Sequence, residues 1–158
     1  MSDDVWFTGT GIQIAFNDIV DSVRNHCQLG GKVFVGSDSF LNKDKCTFTT
    51  AICLHGAKGQ SGGNYFVRRK KFPKSKFNSL VHRITIEVNQ SVELGLQLLE
   101  HCPRLSIELH LDVSAPEKKM ATSKFSDALV GYARGAGFET KIKPNSWAAA
   151  AVADKHSK

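Results

Sequence analysis

Between Lys32 and Lys71 the chain lays down three strand-forming stretches separated only by short polar loops, and after Pro73 its hydrophobic period changes. That switch restricts the fold more than any other feature. The first stretch, KVFVGSDSF, places Val33, Phe34 and Val35 ahead of Gly36 and reads as a buried strand running to Asp38. Cys46–His55 (CTFTTAICLH) is a second strand rich in β-formers, and Asn64–Lys71 (NYFVRRKK) is a third. The polar LNKDK turn and the glycine-rich GAKGQSGG loop join them, so the three pair as an antiparallel meander. From Leu80 to Cys102 the spacing is helical. Ile84, Val88, Ser91, Gly95 and Leu98 share one stripe, whose small residues let the helix approach the sheet closely.

The remainder alternates. Ile107, Leu109 and Leu111 form a fourth strand ending at Asp112, and Pro116 opens a second helix at a favoured first-turn position. Phe138–Lys143 is a fifth strand, and Pro144-Asn145-Ser146 caps a final alanine-rich helix. Ahead of all this, a helix spans about Asn17 to Cys27, and residues 1–15 read as an arm with Trp6 and Phe7 tucked onto the domain. Strand–helix–strand units imply parallel pairing through right-handed crossovers. The expected architecture is therefore α/β: a mixed five-stranded sheet (β-β-β-α-β-α-β-α) with helices on its faces, an extra N-terminal helix, and one domain over residues 1–158. That element order is the order of the ribonuclease H fold.

Four acids stand on the regular elements of this scheme. Asp38 ends the first strand, Glu87 lies on the apolar stripe of the long helix, Asp112 ends the fourth strand, and Asp154 follows four alanines. With the first and fourth strands side by side in parallel, Asp38 and Asp112 meet at one sheet end, and both helix acids can reach that point. Converging carboxylates without basic partners repel unless cations sit between them. Hard oxygen ligands suit Mg²⁺ or Mn²⁺, and two such ions about 3.5–4 Å apart can activate water and stabilise the leaving oxygen of a phosphodiester. Each acid also has a plainer reading: Asp38 as a turn residue between two serines, Glu87 as a surface residue, Asp112 as a helix cap, Asp154 as a solvated acid. His110 is read as a core histidine and His156 as solvent-exposed.

Arg68, Arg69, Lys70, Lys71, Lys74 and Lys76 crowd one basic segment with Arg83 just beyond, and Phe72 and Phe77 are interleaved with them. Such a segment suits phosphate contacts and base stacking; the alternative is a lysine-guarded edge strand. The chain carries 21 Lys+Arg against 15 Asp+Glu, a formal +6, which tilts its partners toward polyanions. Cys27, Cys46, Cys53 and Cys102 include no C-x-x-C pair and read as reduced thiols of a cytoplasmic protein. The acidic MSDDVWFTGTG start does not read as a signal peptide, and no apolar run reaches membrane-spanning length, so no membrane partner is expected.

IELHLDVSAPEKKM and GFETKIKPNSWAAAAVADKHSK, with VFVGSDSF and TTAICLH, resemble the ribonuclease-H-like family typified by YkuK. The likeness runs from about Phe16 to the end, and Ser37 and Asn145 depart from the Thr and Asp of the family pattern. It implies a ribonuclease H fold with Asp38, Glu87, Asp112 and Asp154 as the acidic site. The expectation is a divalent-metal-dependent nuclease, with Asp38 and Asp112 holding the metals, Glu87 orienting the second metal or the water, and Asp154 completing the site. The rival is a nucleic-acid-binding module whose acids are vestigial. An ATPase of this broad fold ranks last, because the chain has neither a duplicated domain nor a phosphate loop.

Overall fold

The computed structural model describes residues 4–60, 62–77, 79–114 and 123–157. At its centre stand β3 (Lys32–Asn42), β4 (Lys45–His55) and β5 (Asn64–Pro73), an antiparallel meander as expected. Cys46 to Leu54 of β4 are all buried, because both faces of this strand are covered. The sheet does not stop at five strands. The stretch read as an arm contributes β1 (Trp6–Thr8) and β2 (Gln13–Ile14). The order is β2-β1-β5-β4-β3-β6-β7, with β6 being Ile107–His110 and β7 Glu139–Lys141. The physical reason is local. Trp6 is buried opposite Arg68 of β5, whose guanidinium lies 5.2 Å from the indole ring and pairs with Asp4 at 3.0 Å. Those contacts pin the N-terminal stretch along the β5 edge.

Helix α1 (Phe16–Gln28) buries Ile19, Val20 and Val23 against the sheet. Helix α2 (Leu80–His101) begins at Ser79, whose hydroxyl accepts the His82 N–H. Its stripe Ile84, Val88, Ser91, Gly95 and Leu98 is buried as the spacing predicts. A Cβ on Gly95 would stand 2.7 Å from the Phe138 ring, so the small residue is what lets helix and ring meet. Helix α3 is described over Ser123–Gly135; its expected start at Pro116 lies outside the described residues. The main core joins α1, α2 and α3 to one face of the sheet, through residues such as Val33, Val35, Ile52 and Leu109. No helix among the described residues is long and apolar enough to cross a membrane.

The other face carries the C-terminal segment, and here the expected α-helix is replaced. Ala148–Ala153 is a π-helix, and α4 (Asp154–Ser157) continues from it. Ala148, Ala149 and Ala153 are buried, Ala148 and Ala153 packing with Ala51, Cys53 and Val67, while Ala150 and Ala151 are exposed. Gly36 is the seat. A Cβ there would lie 2.5 Å from the Ala149 backbone nitrogen and 2.6 Å from the Ala148 carbonyl carbon. Backbone cannot yield as a flexible side-chain end can. Gly36→Ala is therefore expected to lower stability by about 1–3 kcal/mol through overpacking. Denaturant unfolding reads this directly, and a change within about 0.5 kcal/mol, the range of neutral surface substitutions, would refute the tight seat.

Candidate metal centre

The parallel ladder between β3 and β6 runs from Val33–Ile107 to Gly36–His110, where β6 ends. Strand β3 continues to Asn42, held by β4 alone. Asp38 and Asp112 each lie two residues beyond the last parallel rung, so the register sets them level where the two strands part. Asp38 is thus mid-strand, not at a strand end as read from sequence. Glu87 arrives from the buried stripe of α2. Ligand oxygens of Asp38, Glu87 and Asp112 all lie within 4.8 Å of one another. Asp38 is 7 % exposed and Glu87 5 %, while Asp112 is half-buried. Asp154 is not one of this trio but hydrogen-bonds Asp38.

How Asp154 gets there follows from the π-turn. Its backbone N–H bonds the Ala149 carbonyl, five residues back. Ala149 sits over Gly36, so one π-turn later Asp154 stands over Asp38, two residues along the same strand face. The start of the turn is itself anchored. The Ala148 N–H donates to His110 Nδ1 at 3.0 Å, which leaves the ring proton on Nε2, donated to Glu108 at 2.6 Å. Lys32 bonds the other Glu108 oxygen at 3.3 Å. His110 is buried as expected, and burial lowers its pKa, so the neutral ring is the form that holds the segment.

Burial is the main force on the two inner acids. It raises Asp38 to about 9, aided by the Glu87 charge and by Asp154 and Asp112. It raises Glu87 to about 8, against the Ser39 hydrogen bond and the charges of Arg83 and Lys143. Sequence reasoning missed these supporting groups. Ser39 Oγ donates to Glu87 Oε2 at 2.5 Å, and Arg83 Nη1 donates to Ser39 Oγ at 3.4 Å. The alternation of a strand carries the signal, since Ser37 and Ser39 must face α2 while Asp38 faces away. Lys143 lies 3.2 Å from Asp112. The β6–β7 register foretells it, because two residues beyond the His110–Lys141 rung stand Asp112 and Lys143. Ser157 Oγ donates to Asp38 Oδ2 at 3.5 Å.

The basic segment divides by the same alternation. Arg68 is buried, bonded to Asp4 and to Thr50 Oγ1, so this guanidinium is structural and its reading as a nucleic-acid contact is corrected. Lys70 shares its face and pairs with Asp4 at 3.4 Å. Arg69 and Lys71 are exposed on the opposite face, beside α4, and Lys74 and Lys76 are exposed on the turn that follows β5. His156 is not solvated as expected: it is half-buried, with Nε2 2.8 Å from the Tyr65 hydroxyl. A cavity of about 720 Å³ near β1 and α1 is lined by none of the four acids.

Comparison with known proteins agrees with this architecture. A protein of Bacillus subtilis (strain 168), "Uncharacterized protein YkuK", is 27% identical over 168 residues, covering 92% of this chain and 92% of its own. No solved structure matches. The family model described as ribonuclease H-like matches residues 15–158, nearly the whole chain, so the protein belongs to the ribonuclease H-like family.

Proposed function

We propose that the chain is a single-domain, divalent-metal-dependent nuclease that hydrolyses phosphodiester bonds of nucleic acid. The observation that carries this reading is the convergence of Asp38, Glu87 and Asp112 within 4.8 Å, two of them buried, from β3, α2 and the segment just after β6. The donor set fits a hard divalent cation: carboxylate oxygens only, held where the bare site keeps protons on Asp38 and Glu87 past neutrality. Asp38, Glu87 and Asp112 would hold Mg²⁺ or Mn²⁺, taken as two ions, with Asp154 completing the site. When bound, the metal supplies Lewis-acid stabilisation of the phosphodiester charge and an activated water. The chain's own groups do the positioning. Ser39 fixes the Glu87 carboxylate, Ser157 and Asp154 orient Asp38, and Arg83 and Lys143 bring positive charge toward the anionic backbone. Arg69, Lys71, Lys74 and Lys76 supply phosphate contacts away from the acids.

Metal should raise the melting temperature by mass action, about 2.7 kcal/mol at a hundredfold excess over Kd. Asp38→Asn should remove that shift while the fold persists. Ser39→Ala should weaken metal binding by about 10–100-fold, as loss of a group that orients a ligand does. A full metal response in Asp38→Asn would end the proposal that this site binds metal.

Without metal the pH dependence has a definite sign. The unfolded chain ionises Asp38 and Glu87 near 3.8 and 4.5, whereas the folded values are about 9 and 8. The folded state therefore holds more protons across that window, and stability is greatest below it and falls as pH rises through it. Asp38→Asn should flatten the slope and stabilise the metal-free protein at neutral pH. A metal-free melting temperature that rises from pH 5 to pH 8 would contradict the raised pair.

Cleavage is tested with labelled single-stranded, duplex and hybrid substrates, in Mg²⁺, Mn²⁺ or chelator. Asp112→Asn should reduce cleavage to background. Cleavage by that variant equal to wild type, with contaminating nuclease excluded, refutes the mechanism. Binding without cleavage on every substrate would favour the vestigial module.

A further inference from the structure

The cation split along β5 gives one face an acidic partner and, among the described residues, leaves the other without one. Arg68 and Lys70 both pair with Asp4. Among the described residues, Arg69, Lys71 and Lys155 form no ion pair, and they line one cleft of about 370 Å³ between the sheet and α4. Phe40 and Thr47 form its floor, and Ser157 its wall. The register fixes where this cleft lies. Asp38, Thr49 and Arg69 are one cross-strand row, and Phe40, Thr47 and Lys71 are the next row on the same face. The cleft is thus one row from the acidic site, and its Ser157 wall touches Asp38. Arg69 is held in place there, 5.7 Å from the Phe7 ring and bonded to the His156 carbonyl at 3.5 Å.

We propose that this cleft binds single-stranded nucleic acid and leads one strand past the acids. The proposal rests on the nuclease reading for its purpose but not for its test. Three cations around a recess, none in an ion pair among the described residues, suit a phosphate backbone. A half-buried phenylalanine, Phe40, in the same lining offers a stacking face that only an unpaired base can use, since bases in a duplex are already stacked on both sides. Walls formed by a helix and the sheet admit a flexible strand, whereas a duplex presents its phosphates outside the recess. Lys155 joins the two features, lying one residue after Asp154 and lining the same cleft as Lys71.

The test is fluorescence anisotropy with a labelled single-stranded oligonucleotide and the same sequence as a duplex, in chelator, over a range of salt. The single strand should bind more tightly. Lys71→Ala with Lys155→Ala should weaken it about tenfold or more and lower the salt slope by about 1.4, at about 0.7 for each lost contact. Phe40→Leu keeps apolar bulk without an aromatic face and should weaken binding about tenfold. Lys58→Ala with Arg134→Ala, two exposed cations elsewhere, controls for net charge and should leave the slope in place. Equal affinity for duplex and single strand overturns the proposal, as does a Lys71/Lys155 variant that behaves like the control. Tight single-strand binding without cleavage in metal supports the cleft and removes the nuclease reading. Cleavage alongside unchanged binding in the double variant removes the cleft and leaves that reading standing.

Discussion

The parallel ladder of β3 and β6 stops at Gly36–His110 while β3 is still held by β4, and the acidic end of the molecule depends on that mismatch in length. A strand paired on one side only has a free edge. Here the edge opens inside the fold, between α2 and the C-terminal segment, and carboxylates from both faces can reach into it. Longer pairing would close the gap and leave Glu87 on one side of a continuous sheet with Asp38 on the other. The antiparallel ladder, continuous from Lys32–His55 to Asn42–Lys45, keeps β3 from collapsing into the space. Ionising carboxyls buried this close costs stability, which is why Asp38 and Glu87 titrate well above the ordinary carboxyl range.

Two polar assemblies hold the sides of the gap. On the α2 face, Ser37 bonds Thr50 at 2.9 Å and Ser91 at 2.9 Å, and Thr50 bonds Gln90 at 3.2 Å. These buried bonds fix the rotation of α2 one turn beyond Glu87, and an apolar stripe alone would tolerate more sliding. Arg68 reaches the same Thr50 at 3.4 Å, which ties the N-terminal strands through Asp4 to the region behind the site. On the opposite face, Glu108 and His110 work through the Ala148 N–H. Glu108 falls below the ordinary carboxyl value because its bonds to His110 and Lys32 outweigh its burial. A charged carboxylate facing a neutral imidazole keeps Nδ1 an acceptor, and that lone pair holds the first turn of the C-terminal segment.

The sequence made the central strands, α2 and the acid set legible because each has a strong period or a lone charge on an apolar face. What it hid has physical causes. WFTGTGIQI has no sustained alternation, and its strands form only because Trp6 and Asp4 find Arg68 in a strand sixty-odd residues away. An alanine run carries no hydrophobic period, so nothing in it separates a π-turn from an α-turn. The usual helical face would group Asp154 with Trp147, Ala150 and Ala151, all three of which are exposed. Arg68 was hidden by its neighbours, since a run of like charges suggests a solvated surface and conceals that a strand sends every second residue inward.

The same alternation explains how a basic chain can carry a cluster of acids. In β5 it sends Arg68 and Lys70 to Asp4 and leaves Arg69 and Lys71 on the face of the C-terminal segment. In β3 it points Ser39 at Glu87 and Asp38 at Asp154. The cations that stay unpaired therefore lie near the acids without neutralising them, separated by Thr49 and Thr47 of β4. Were Arg69 and Lys71 to fold onto Asp38, the site would be satisfied as an ion pair, and neither a metal nor a phosphate would have reason to enter. Thr49 is the spacer that prevents this: a buried residue too short to bridge, on the strand that β3 and β5 share. The strand order β3-β4-β5 thus keeps acid and base one strand apart on a common face.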